Sequence, residues 1–411
     1  MIQRSVSESG AAARERWIVA VVGGTLLVDS IFYTALTPLL PQFVHRLHMS
    51  AGAAGLLTAC YAIGCLAGTI PSGLLAARIG PRATVLAGLT VVALTTAAFA
   101  FVDSPFLLDL ARLLEGLGGS AAWSGGLAWV AGGTAPGRRG TVMGQVLAAA
   151  TAGSLLGPAV GAAASSVGRE IAFGAVAVLA ASMTVVCRRV PAADGGGDTS
   201  SKGLTGALRD TRVLGTMWLI ALPSLISGAL SVLGSLRLHH LGAGPTAIGA
   251  TFLVAAAIDA VVGPLSGNAS DRYGRLAPVC VGLLAATVLL AGFGLPTAAL
   301  PAAALIVAAA VGVEVLWAPA MAWLSEVLER RGDAAALAGA LINLAWSGGQ
   351  IAGSAGGGRL AQATDDVTPM IVAAGLSLAT LLALSVRALS RGHRRGVLLR
   401  DRRRLGTAGE E

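Results

Sequence analysis

Leu26-Leu27-Val28-Asp29-Ser30-Ile31-Phe32-Tyr33-Thr34-Ala35-Leu36-Thr37-Pro38-Leu39-Leu40-Pro41 decides how the rest of the chain is read. Extended back to about Trp17, it is long enough to cross a bilayer, which takes about 20 apolar residues. One carboxylate lies near its middle and two prolines near its far end. An aspartate at that depth costs about 2.5–3.5 kcal/mol on insertion scales, so such a residue marks function by default.

Composition agrees with a membrane setting. Of 411 residues, 55% are hydrophobic and only 12% charged, against about 25% charged in soluble domains. The 56 glycines suit helices that pack closely in lipid. The apolar runs do not alternate, which favours helices over a barrel. Cys60, Cys65, Cys187 and Cys280 sit in or beside apolar runs. They lack metal-ligand or disulfide spacing and read as small buried hydrophobes, so neither a metal nor a cofactor is expected. Residues 1–16 are polar, and no cleavable signal is expected there.

Six spans are expected at about 17–41, 51–72, 83–101, 106–131, 141–164 and 171–187. Six more are expected at about 213–235, 245–266, 276–295, 300–323, 335–358 and 368–386. Residues 188–212 include Gly195-Gly196-Gly197 and read as a flexible linker between two bundles, 1–187 and 213–386. Residues 387–411 form a basic tail. Roughly 24 of the 29 Lys and Arg then fall on one side, which by the positive-inside rule places both termini in the cytoplasm of a cell-membrane protein. The net charge of +8 is thereby accounted for without nucleic acid.

The chain repeats itself. Gly73-Leu74-Leu75-Ala76-Ala77-Arg78-Ile79-Gly80-Pro81-Arg82 follows span two, and Gly267-Asn268-Ala269-Ser270-Asp271-Arg272-Tyr273-Gly274-Arg275 follows span eight, 194 residues later. Gly153-x-x-x-Gly157-Pro158-x-x-Gly161 in span five is echoed from Gly349 in span eleven, 196 residues later. Two patterns at nearly one offset mark a duplicated six-span unit, with a binding site expected between the halves.

These motifs resemble those of the major facilitator superfamily. The loop Gly-x-x-x-Asp-Arg-x-Gly-Arg is its signature. The second copy keeps Gly267, Asp271, Arg272, Gly274 and Arg275, while the first keeps Gly73, Arg78, Gly80 and Arg82 but has Ala77 where the aspartate belongs. Gly153, Gly157, Pro158 and Gly161 resemble the antiporter motif. Arg112-Leu113-Leu114-Glu115-Gly116 resembles a motif linked with proton transfer, with Glu115 in place of glutamine. Span one and Glu314 through Met321 in span ten are similar to the twelve-span drug:proton antiporter branch. Asn343 stands where its amine transporters have an aspartate. The resemblance implies two six-helix, pseudo-symmetric bundles around a central cavity, with loops that gate it.

Independently of the family, spans three, six, nine and twelve hold no charged side chain and are expected to face lipid. Asp29 lies twelve residues from Trp17, Asp259 twelve from Asp271 and Glu314 twelve from Glu326 at the cytoplasmic side, each about 18 Å at 1.5 Å per residue. They are expected to cluster at mid-depth, with Arg112 and Glu115 paired nearby. Removal from water favours a neutral carboxyl and a bound cation favours a charged one, so one group can hold either. Tyr33 and Thr37 share a face with Asp29, and Trp317 and Met321 with Glu314, offering aromatic surface to a lipophilic cation. No Gly-Lys-Ser/Thr phosphate loop is present, and the chain is not expected to be an enzyme.

The function expected is secondary active transport: proton-coupled efflux of hydrophobic, preferentially cationic small molecules by a monomer in the bilayer. Export of a neutral metabolite, sugar or natural product, proton symport, and a non-transporting receptor stay open as alternatives.

Overall fold

The computed structural model describes residues 2–190, 204–332 and 335–386. Most of the expected linker and all of the expected tail lie outside the described residues. The first half contains α1 (Ile2–Arg46), α2 (Ala51–Ile79), α3 (Pro81–Phe101), α4 (Pro105–Gly133), α5 (Arg139–Val167) and α6 (Arg169–Arg189). The second contains α7 (Thr211–His240), α8 (Pro245–Tyr273), α9 (Leu276–Ala291), α10 (Ala299–Glu329), α11 (335–363) and α12 (Thr368–Val386). Among the described residues nine helices are long and apolar enough to cross a membrane. The other three have evident reasons to fall short. α9 has 16 residues, α4 carries Asp109, Arg112 and Glu115, and α11 carries Asn343, Ser347 and Gln350 among glycines that lower its hydropathy. The twelve expected segments fit this all-helical, multi-pass arrangement.

The internal repeat has a packing basis. A Cβ at Gly153, Gly157 or Gly161 of α5 would meet the carbonyl oxygens of Leu27, Ile31 and Ala35 of α1 at 2.3, 2.7 and 2.1 Å. A Cβ at Gly349 of α11 would meet the Ala221 carbonyl of α7 at 2.2 Å, and one at Gly353 would collide with that of Leu225. Glycine every fourth residue thus lets backbone lie on backbone in both halves. The same correspondence holds for Gly88 against Gly118 and Gly282 against Gly312.

Two loop expectations are corrected. Residues 73–81 were expected as a loop, yet α2 continues through Ile79, and only Gly80 turns the chain, at φ 88°. α8 likewise runs to Tyr273, and Gly274 turns at φ 83°. Leu, Ala and Arg extend a helix readily, and a glycine with positive φ is what stops it. Gly73, Arg78, Gly267, Asp271 and Arg272 therefore sit on helix ends rather than in loops. α1 also passes its two prolines and ends at Arg46. Each proline removes one donor and bends rather than terminates the helix.

Large apolar side chains of α3, α6, α9 and α12 point outward, among them Phe101, Val178, Val281 and Leu382, as expected of lipid-facing helices. The face bearing the 2–3 and 8–9 turns is here termed the basic face. At the opposite face the two halves meet along two seams. In one, Gly55 of α2 lies against the Ser354 carbonyl and Gly358 of α11; in the other, Gly249 of α8 lies against Pro158 and Ala162 of α5. Basic-face ion pairs join residues of one half: Glu15 with Arg138, Arg275 with Asp271 and Glu326, and Arg331 with Asp210.

Asp210 caps α7. Its carboxylate accepts from the Arg212 backbone N–H at 2.8 Å and from Arg331 Nη1 at 2.7 Å. The Arg212 N–H first, then the Arg331 guanidinium, hold this carboxyl below its ordinary value of 3.8. A depressed folded-state value stabilises above the unfolded value and is lost as pH falls through the folded one. Hydrogen-exchange protection of the first turn of α7 is expected to be full above pH 3.8 and to fall in more acid solution. Asp210→Ala is expected to abolish that acid-dependent step.

Candidate functional site

α1 carries Asp29 into the space between α2 and α4, where it is 1% exposed. Tyr61 Oη and Trp123 Nε1 donate to Oδ2 at 3.0 and 3.1 Å, while Oδ1 has no partner. Gly119 makes the room, since a Cβ there would lie 2.6 Å from Oδ1. Nearby on α4, Arg112 Nη1 contacts Glu115 Oε2 at 2.7 Å, both side chains fully buried. The guanidinium lies 5.7, 5.8 and 5.2 Å from the ring centres of Phe32, Tyr33 and Tyr61. Its Nη2 donates to the Tyr33 carbonyl at 3.4 Å. Asp29 senses the charge of Arg112, and Glu115 senses that of Asp29. With every group ionised, two carboxylates face one guanidinium and one negative charge is left over. A buried charge of that kind is expensive until something neutralises it.

Side chains from the other half close over this cluster. Tyr33 stacks on Tyr61 with ring centres 4.6 Å apart, and Trp346 of α11 lies 6.0 and 6.3 Å from the two. Gln350 Nε2 donates to Tyr33 Oη. Asn343 Nδ2 donates to Thr69 Oγ1 at 2.5 Å. Thr37 is partly buried further along α1.

The expected single cluster of three carboxylates divides into two groups. Asp29 takes its hydrogen bonds from α2 and α4 of its own half. Glu314 senses the charge of Asp259 across α8 and α10, and Gly263 leaves the gap its carboxylate fills, a Cβ there lying 3.0 Å from Oε1. Asp259 Oδ1 has no partner. Trp317 and Met321 pack partly buried beside the large apolar core that both halves share. Equal depth along three helices does not bring side chains together unless the helices also turn the same faces to one another.

Sequence reasoning does not single out Tyr61, Trp123, Trp346 or Gln350. The available signal is the pentapeptide Ala-Trp-Ser-Gly-Gly, at 122–126 and 345–349, whose tryptophans both reach the cluster. The turns differ between halves. Arg275 binds Ser270, Asp271 and Glu326. In the first half, where Ala77 replaces the acid, Arg82 instead donates to the Cys187 and Arg188 carbonyls at the end of α6. Arg272 lies over Tyr273, 5.4 Å from its ring centre.

Comparison with known proteins agrees with this architecture. The Major Facilitator Superfamily model matches residues 22–350 and, in a second alignment, 225–405. The "MFS-type transporter ppzB" of Metarhizium rileyi is 31% identical over 36% of this chain and 32% of its own length. The "Probable vesicular acetylcholine transporter-B" of Danio rerio is 33% identical over 38% of this chain and 34% of its own. "Multidrug resistance protein 1" of Bacillus subtilis is 27% identical over 41% and 45%. The chain thus spans between 31% and 45% of the length of the curated relatives it matches. A solved structure of the nucleoside transporter NupG superposes with a TM-score of 0.73 at 14% identity, over 90% of this chain and 99% of that one.

Proposed function

The chain belongs to the major facilitator superfamily, and from that premise we propose that it exports hydrophobic, cationic small molecules in exchange for protons. The observation that carries the reading is Asp29: a fully buried carboxylate with one unpartnered oxygen, walled by Tyr61, Trp123, Tyr33 and Trp346 where the two halves meet. A proton or a cation satisfies that oxygen, and the two exclude each other. Aromatic faces around it favour a lipophilic cation over a sugar. The printed names of the Bacillus and Danio relatives, multidrug resistance and acetylcholine transport, lie in the same direction. Asp259 and Glu314 form a second acidic station in the other half. In this reading the basic face is cytoplasmic, as the distribution of Lys and Arg implies. In the same reading the glycine seams close the outer side, which suits the inward-facing arm of an alternating cycle.

The test is reconstitution in liposomes with an imposed pH gradient and a panel of cationic, neutral and sugar compounds. Gradient-dependent movement of the cations is expected; movement of neutral compounds alone would overturn the reading. Trp346→Ala is expected to weaken cationic compounds by roughly two- to thirtyfold, through loss of one cation–π contact worth about 0.5–2 kcal/mol, and to leave neutral compounds unaffected.

A further inference from the structure

Asp109 is an intramembrane acid that the site described above does not use. It lies near the opposite-face end of α4, partly buried, and its Oδ1 is buried with no partner. Phe106, Leu107, Leu110 and Leu114 form the exposed apolar stripe of α4, and Asp109 lies on another flank, close enough to Cys60 of α2 for the two to interact electrostatically. It therefore faces protein rather than lipid. Its spacing is distinctive: Asp109, Arg112 and Glu115 follow one another at intervals of three. One guanidinium stands between two carboxyls, one a turn towards the opposite face and one a turn deeper.

Side-chain direction favours exchange between them. On a helix, long side chains lean towards the N-terminus and over the residue three or four positions earlier. Glu115 leans in that way onto Arg112, giving the pair at 2.7 Å. The same rule gives Arg112 a rotamer that leans towards Asp109, while here its guanidinium is turned to Glu115. Its Nε has no partner here, and Glu115 Oε1 has none either. The other groups facing the guanidinium are the rings of Phe32, Tyr33 and Tyr61, which attract a cation without anchoring it in one place. Asp29 and the thiols of Cys60 and Cys65 complete the titratable surroundings of the pair.

We propose that Asp109 is the alternative partner of Arg112, and that exchange of the guanidinium between Asp109 and Glu115 carries a proton between the outer face and mid-depth. Three groups share one positive charge, so the carboxyl that the guanidinium leaves takes up one proton and the carboxyl it joins gives one up. Only O–H bonds are made and broken, and the net charge of the trio stays the same. In this structure the guanidinium is on Glu115, and the proton belongs on Asp109. In the exchanged state the proton is on Glu115, six residues deeper, about 9 Å along the axis, beside Asp29. Asp109 acts through Arg112 and is a positioning residue for coupling. The transport arm of this inference rests on the proposed function; the partner exchange does not.

Two measurements test it. The first compares thermal midpoints in detergent of the whole protein, Asp109→Asn, Glu115→Gln and the double variant. All four proteins carry Asp29→Asn, which removes the third carboxylate that senses the guanidinium; each single variant then leaves Arg112 one carboxyl, so small shifts are expected. The double variant strands a buried cation, and a loss well beyond the sum of the singles is expected. Additive shifts would overturn the exchange. The second measures substrate-driven proton flux in liposomes as the outer pH is varied. Asp109→Asn is expected to displace the outer pH profile by about tenfold in proton concentration or more, with the substrate KM unchanged, and Asp109→Glu is expected to restore it. A wild-type profile in Asp109→Asn would overturn the proposal. If the wild type moves no protons, the functional reading falls and the transport arm with it, while the thermal cycle still decides the exchange.

Discussion

Asp29→Asn is expected to abolish gradient-driven transport while the protein still inserts and folds. Asparagine keeps the shape and can still accept from Tyr61 and Trp123, which now hold Oδ2 at 3.0 and 3.1 Å. It removes the charge, and with it both the proton and the cation that the charge would hold. A charged partner strengthens a hydrogen bond to about 1.5–3 kcal/mol, so losing the ionic contact to a cationic substrate costs on the order of ten- to a hundredfold in binding before coupling is considered. The coupled step falls further, because a neutral amide has no second state to alternate with. Substrate-driven proton flux, with folding followed by size-exclusion profile, checks the prediction. Retained flux in Asp29→Asn would remove this residue from the coupling machinery.

Gly55→Leu is expected to hold the opposite face open. A Cβ at Gly55 would stand 2.2 Å from the Ser354 carbonyl and 3.2 Å from the Gly358 Cα, and both are backbone. Backbone cannot step aside as a side-chain end can, so α2 must separate from α11. Overpacking of this kind costs about 1–3 kcal/mol. Charged to the closed state alone, that shifts the equilibrium towards the open state by about 5- to 150-fold. Gly144→Leu serves as control, since a Cβ there meets nothing within 4 Å. The readout is a cysteine at Ala54, fully buried on α2, in a background with the four native cysteines replaced. A membrane-impermeant thiol reagent is expected to label it rapidly in the Gly55→Leu protein and slowly in the control. Equal rates would mean that this seam does not close the pathway.

How much of this was legible in the sequence follows from the kind of signal each feature leaves. Apolar length, the basic loops and two motifs at offsets of 194 and 196 residues are one-dimensional patterns, and they carried the fold class and the repeat. The spacing Gly153, Gly157, Gly161 named a close-packed face, though not that α1 is what packs on it. Helix ends were misjudged at Gly73 and Gly267 because a motif is not a turn; Gly80 and Gly274 alone adopt the conformation that stops a helix. Depth along each helix placed Asp29, Asp259 and Glu314 at one level. Azimuth is set by packing between helices, and it separates them into Asp29 with Arg112 and Glu115, and Asp259 with Glu314. Tyr61, Trp123 and Trp346 had no charge to betray them. Asp109 leaves no mark of its own in the sequence; its buried, unpartnered oxygen is what sets it apart.

The account turns on proton and cation excluding one another at Asp29. The most direct measurement is proton release on binding: a quaternary ammonium dye, which cannot itself titrate, is added to detergent-solubilised protein in weak buffer across a pH series. The account predicts that dye binding tightens as pH rises and releases up to one proton per dye bound, and that Asp29→Asn loses both effects. Binding that is independent of pH and releases no proton, in wild type and variant alike, would contradict it.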